Sequence, residues 1–152
     1  MNPPRTQQGT TLIEVLIAVV ILAVGLLGMA GLQATSVQTN QGAYYRSQAS
    51  ILANDMADRL RANRDRALAG DYSMSDFPTS SSSNEVTGSR AAKDQAEWLN
   101  RLAESLPDGT GKVALNANIF TISIRWNDNR ARIKATSDTD TPSETFEYRT
   151  RL

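Results

Sequence analysis

The sequence contains no cysteine and no histidine. Those two absences remove disulfides, thiol nucleophiles, imidazole acid–base chemistry and the usual zinc sites. Aromatic residues make up only 6% of the chain, and formal net charge is zero, with a pI near 6.3. No global charge therefore steers the protein toward nucleic acid or an acidic surface. Carboxylates and hydroxyls are present, but no Gly-rich phosphate loop or nucleophile elbow accompanies them, so no enzyme is expected. Nothing in the composition asks for a cofactor or a metal. The most informative absence is local: from residue 15 to residue 45 there is no Asp, Glu, Lys or Arg.

The apolar part of that stretch, residues 12–32, is long enough as a helix (~30 Å) to cross a hydrocarbon core. A short polar leader, residues 1–9, precedes it. Pro3 and Pro4 argue against helix there. Positive charge lies before the apolar run, at the terminal amine and Arg5, and the next charge after it is Arg46. The positive-inside rule then places the N-terminus in the cytoplasm. At the head of the run stands Glu14. A carboxylate at membrane depth is costly and marks function, and it becomes tolerable when a cation reaches it.

The helix is expected to outlast the membrane. Val37, Tyr45, Ala49, Leu52, Met56 and Leu60 recur at three- to four-residue steps or their multiples, which is an apolar stripe on one face. Asp55–Arg59 and Asp58–Arg61 are spaced as ion pairs on the wet face. One helix is predicted from near Leu12 to about Leu68, with Gly70 as its stop. Residues 71–89 read as a linker around Thr79-Ser80-Ser81-Ser82-Ser83-Asn84. A second, shorter helix follows. In it Ala92, Ala96, Leu99, Leu102, Ala103 and Leu106 share a face with Trp98 close by, and Leu106-Pro107-Asp108-Gly109 ends it.

The remainder is strand-like. Phe120, Ile122, Ile124 and Trp126 alternate with polar residues, as do Ala131, Ile133 and Ala135, and then Phe146, Tyr148 and Leu152. Residues 113–117 offer a further short strand. The expected fold is α+β: an antiparallel meander of three to four strands whose apolar face is covered by the amphipathic half of the long helix.

Gly9-Thr10-Thr11-Leu12-Ile13-Glu14-Val15 resembles the class III signal of type IV pilins and pseudopilins. The resemblance implies cleavage by a prepilin peptidase between Gly9 and Thr10, then N-methylation of Thr10. It also implies that Glu14 meets the free amine of a neighbouring subunit during assembly. Thr10 departs from the Phe most often found there. The segments "GLLGMAGLQ" and "NQGAYYRSQASILANDMADRLRANR", then "LPDGTG" and a strand ending "IRW", are similar to the PilV family of minor pilins. By that resemblance residues 1–9 are a removed leader, residues 10–68 a long helix, and residues 69–152 a periplasmic head completed by the end of that helix. The implied role is a minor pilin that initiates or assembles type IV pili, used in twitching motility and cell adhesion. Its implied partners are other minor pilins, the major pilin, the prepilin peptidase and the inner-membrane assembly platform. The implied location is the inner membrane, single-pass, and then the pilus. The absence of Cys excludes the disulfide-closed C-terminal loop of many major pilins and fits a minor component better.

Gly25, Gly28 and Gly31, at three-residue spacing in the apolar helix, allow close helix approach or local loosening. Arg59, Arg61, Arg64 and Arg66 are interleaved with Asp and read as a solvated face, so nucleic-acid binding is not favoured. Arg125, Arg130, Arg132 and Lys134 read as an exposed sheet face. Asp138-Thr139-Asp140 with Glu144 carries oxygen ligands but no recognisable calcium spacing. Tyr44 and Tyr45 are placed beyond the bilayer, packing between stems. Two alternative functions remain. One is a minor pseudopilin of a type II secretion system. The other is an exported periplasmic binding domain cut near Gly28-Met29-Ala30, which leaves Glu14 unexplained.

Overall fold

The computed structural model describes residues 11–128 and 143–152. The predicted strand 130–136 and the acidic turn at residues 138–140 lie outside them, as do Gly9 and Thr10. The described chain forms α1 (Leu12–Ala62), α2 (Arg64–Leu68), α3 (Arg90–Ser105), β1 (Thr110–Asn116), β2 (Ile119–Asn127) and β3 (Ser143–Arg151). It divides into two units, residues 1–37 and 38–152.

In the first unit every large apolar side chain from Leu12 to Leu32 is between 50% and 85% exposed. The second unit carries the core. Ala49, Leu52, Ala53, Met56, Ala57 and Leu60 are the buried face of α1. They join Trp98 and Leu102 of α3 and Val113, Phe120, Ile122, Ile124 and Trp126 of the sheet in one cluster. The expected cover of the sheet by the amphipathic half of the helix is therefore present. Val37 is a correction: it is 58% exposed, and the buried stripe begins only near Tyr45.

The long helix stops six residues earlier than predicted. Asn63 leaves helical geometry at φ −127°, ψ 47°, and one further turn, α2, follows. Gly70 then ends it as expected. With φ +91°, its N–H bonds the carbonyl of Ala67 while that of Asp71 bonds Arg66, the paired bonds of a Schellman end. Ser89 caps α3, its hydroxyl accepting from the Ala92 N–H at 3.2 Å. The buried face of α3 is a second correction. It runs through Ala91, Asp94, Ala96, Trp98 and Leu102, so Trp98 lies at its centre while Ala92 and Leu99 are only half-buried.

The strands form an antiparallel meander in the order β1-β2-β3. β1 is longer than the predicted 113–117 segment. Its hairpin turns on Ala117 and Asn118, both at positive φ (46° and 67°), as a two-residue primed turn requires. Gly111 is obligatory in β1, because any Cβ there would run into the Trp98 ring. The Met74 N–H donates to the Val113 carbonyl at 2.8 Å, so the linker covers the outer edge of β1.

Candidate functional site

Glu14 sits three residues after Thr11, in the first turn of α1. The Glu14 N–H approaches the Thr11 Oγ1 at 3.4 Å and donates to the Thr11 carbonyl at 3.0 Å. Thr11 therefore caps the helix, in the spacing of a capping box. The Glu14 carboxylate is exposed. Within the chain it also favours the helix start, where a negative charge meets the positive end of the macrodipole.

Around and beyond Glu14 the helix presents apolar side chains on all sides, and α1 is, among the described residues, the helix long and apolar enough to cross a membrane. A cylinder of this kind needs lipid or other helices around it. At Gly25, Gly28 and Gly31 an added Cβ would meet nothing within 4 Å. Among the described residues, nothing therefore demands glycine at these three positions. The Thr35 hydroxyl donates to the Gly31 carbonyl at 3.1 Å, a back-bond of the kind that bends helices.

The second unit holds a polar cluster that the sequence reading missed. Asp94, only 2% exposed, accepts from Arg59 at 3.0 Å, from Arg90 at 3.1–3.2 Å and from the Tyr72 hydroxyl at 2.6 Å. Arg59 also meets Asp55 at 3.2 Å and Glu97 at 2.8 Å. Spacing alone predicts Asp55–Arg59 on the wet face; its arginine is instead nearly covered between α1 and α3. Asp58–Arg61 does lie exposed, at 2.7 Å. The Asn63 amide donates to the Tyr72 hydroxyl at 3.0 Å, which ties the helix break to the same cluster. Burial works against the Arg59 charge, yet its bonds to Glu97 and Asp55 outweigh it and raise the pKa above the ordinary arginine value. Burial first, then the bond to Asp94, pushes the Tyr72 phenol up. A cluster so fully paired fixes geometry. Among the described residues no group of side chains fit to hold a metal accompanies it.

Of the remaining arginine-rich residues, Arg61 and Arg64 reach back to the C-terminal strand, at the Thr150 hydroxyl and the Leu152 carbonyl. Tyr44 and Tyr45 meet edge to face at 5.9 Å; Tyr44 is exposed and Tyr45 packs on the core.

A family model described as the prokaryotic N-terminal methylation motif matches residues 4–30, and one described as type IV pilin Tt1218 matches residues 31–99. No curated protein and no solved structure matches the chain. Type IV pilins are structural proteins, not enzymes, and an N-terminal apolar helix fits their anchoring in a membrane and incorporation into a pilus. The chain thus carries the N-terminal methylation motif followed directly by a type IV pilin domain, and its long helix, short extra helix and three-stranded antiparallel sheet are the type IV pilin fold.

Proposed function

We propose that the protein is a minor pilin that takes part in the initiation and assembly of type IV pili. It enters a small priming complex with other minor pilins at the inner membrane and is then incorporated in the pilus. The observation that carries this reading is the methylation motif leading straight into a pilin domain, with Glu14 as the only Asp, Glu, Lys or Arg between residues 12 and 45. The prepilin peptidase removes residues 1–9 on the cytoplasmic side, and Thr10 becomes the methylated N-terminus. The head then stands in the periplasm, with residues 69–152 completed by the end of the long helix. Glu14 receives the terminal amine of a neighbouring subunit, which offsets the cost of its burial among apolar helices.

The first test is the intact mass and N-terminal peptide of the protein extracted from its native membrane. A chain beginning at N-methyl-Thr10 is expected. An uncut Met1, or a start near Gly31, would overturn the reading. Glu14→Ala is expected to leave insertion and processing intact and to lower incorporation into pili; wild-type piliation would remove the carboxylate from assembly. Gly9→Ala is expected to trap the precursor. Deletion of the gene should abolish piliation while type II secretion continues; the reverse pattern would assign the chain to the pseudopilins.

A further inference from the structure

The linker between α2 and α3 has no helix or strand, yet it is fastened along its length. At its start the Tyr72 hydroxyl donates to Asp94 at 2.6 Å, and the Gln95 amide donates to the Tyr72 carbonyl at 2.9 Å. Further on, the Met74 N–H donates to the Val113 carbonyl at 2.8 Å, and the Thr110 hydroxyl to the Pro78 carbonyl at 2.6 Å. Met74 thus faces the middle of β1 and Pro78 its first residue, so the linker runs antiparallel to β1 along its outer edge. Between them Phe77 is held by two cations, with the Arg125 guanidinium 4.4 Å and the Lys112 ammonium 4.7 Å from its ring centroid. The far end is clasped. The Asn100 Oδ1 accepts from the Asn84 N–H at 2.7 Å and from its Nδ2 at 2.8 Å, and the Asn100 Nδ2 donates to the Asn84 carbonyl at 3.1 Å.

This strap lies where a further strand would lie, but it cannot serve as one. A sheet edge offers N–H and C=O groups to any extended chain that approaches. In the strap the Phe77 N–H is taken by the Asp76 carboxylate at 2.7 Å, and Pro78 has no N–H to offer. Two consecutive donors are therefore withdrawn, as at positions that end a sheet. On the opposite edge of the three described strands, β3 carries exposed Glu147, Arg149 and Arg151, charges that oppose pairing. β1 has only Lys112, which faces Phe77.

We propose that the linker is a strap that seals the β1 edge against strand addition by a second copy of this chain. The Asn84–Asn100 pair is its clasp, and Asp76 and Pro78 keep the strap from becoming a new edge. Once the strap is lifted, the bared edge fits itself. Two copies of β1 laid antiparallel about Val113 set Lys112 opposite Ala114, so no like charges meet.

The test uses the full chain in detergent micelles and reads hydrogen exchange by mass spectrometry beside particle mass by light scattering. Asn100→Ala removes all three clasp bonds. It should speed exchange about tenfold across the strap and β1 in dilute solution, leaving α1 and β2 unchanged. As concentration rises, particles holding two chains should form and β1 should regain protection. Asn100→Asp keeps both accepted bonds and should behave like the parent chain, which separates the clasp from loss of fold. Unchanged exchange in the strap of Asn100→Ala would overturn the proposal. So would a faster strap with particles that stay at one chain, or exchange that rises equally in every element.

Discussion

Asp94 shows how much one residue can organise. A carboxylate that is 2% exposed costs several kcal/mol to desolvate, and here two arginines and a phenol compensate it. Asp94→Ala leaves Arg59 without its most buried partner and should lower unfolding stability by about 3 kcal/mol in a urea titration. Tyr72 gives the same cluster a pH signature. Its folded pKa is raised above the ordinary value near 10, so its contribution is intact below that value and is lost as pH rises through the raised one. The tyrosine absorbance titration should show a late component that Tyr72→Phe abolishes. Only the i,i+4 pair with Arg90 was within reach of local spacing; the other partners of Asp94, Tyr72 and Arg59, lie 22 and 35 residues away. Local spacing paired Arg59 with Asp55, correctly, but said nothing of α3. The two tryptophans also differ in kind. The Trp98 indole N–H donates to the Leu52 carbonyl at 2.9 Å, whereas that of Trp126 has no acceptor among the described residues. Replacing each by Phe should therefore cost about 1 kcal/mol more at residue 98.

At the scale of elements, periodicity decided what could be foreseen. β2 was legible because Phe120, Ile122, Ile124 and Trp126 alternate with polar neighbours, and all four are buried. The end at Gly70 was legible because glycine tolerates φ +91°. The β1–β2 turn was not, since Ala-Asn is no turn signature, and Ala117 bears positive φ against its preference. Ala117→Gly should therefore raise stability by about 1 kcal/mol, read as a shift of the thermal midpoint. The break at Asn63 escaped notice because no local signal marks it; its amide bonds Tyr72, beyond the helix. Gly111→Ala should do the opposite of Ala117→Gly, costing about 1–3 kcal/mol as Trp98 is displaced.

For the whole molecule, the division after residue 37 separates two solubility regimes. The core, the sheet and the Asp94 cluster of the second unit are all built from residues after 37. A chain begun at Gln38 should therefore stay soluble without detergent and keep the near-ultraviolet circular dichroism of the full protein. Aggregation or loss of that signal would show that the apolar helix supports the fold. The signal in the first unit was legible throughout: absence of charge, length and one glutamate suffice to place a helix there. What positions the second unit around the Asp94 cluster depends on contacts between residues far apart in the chain.

That cluster also sets an order of events. Its members span residues 55 to 97, whereas the last strand closes only at Arg151. A polypeptide emerging N-terminus first holds every partner of the cluster before any strand of the sheet exists. The two main helices can then be latched together early, and the meander arrives last, as a panel fitted onto a frame already braced.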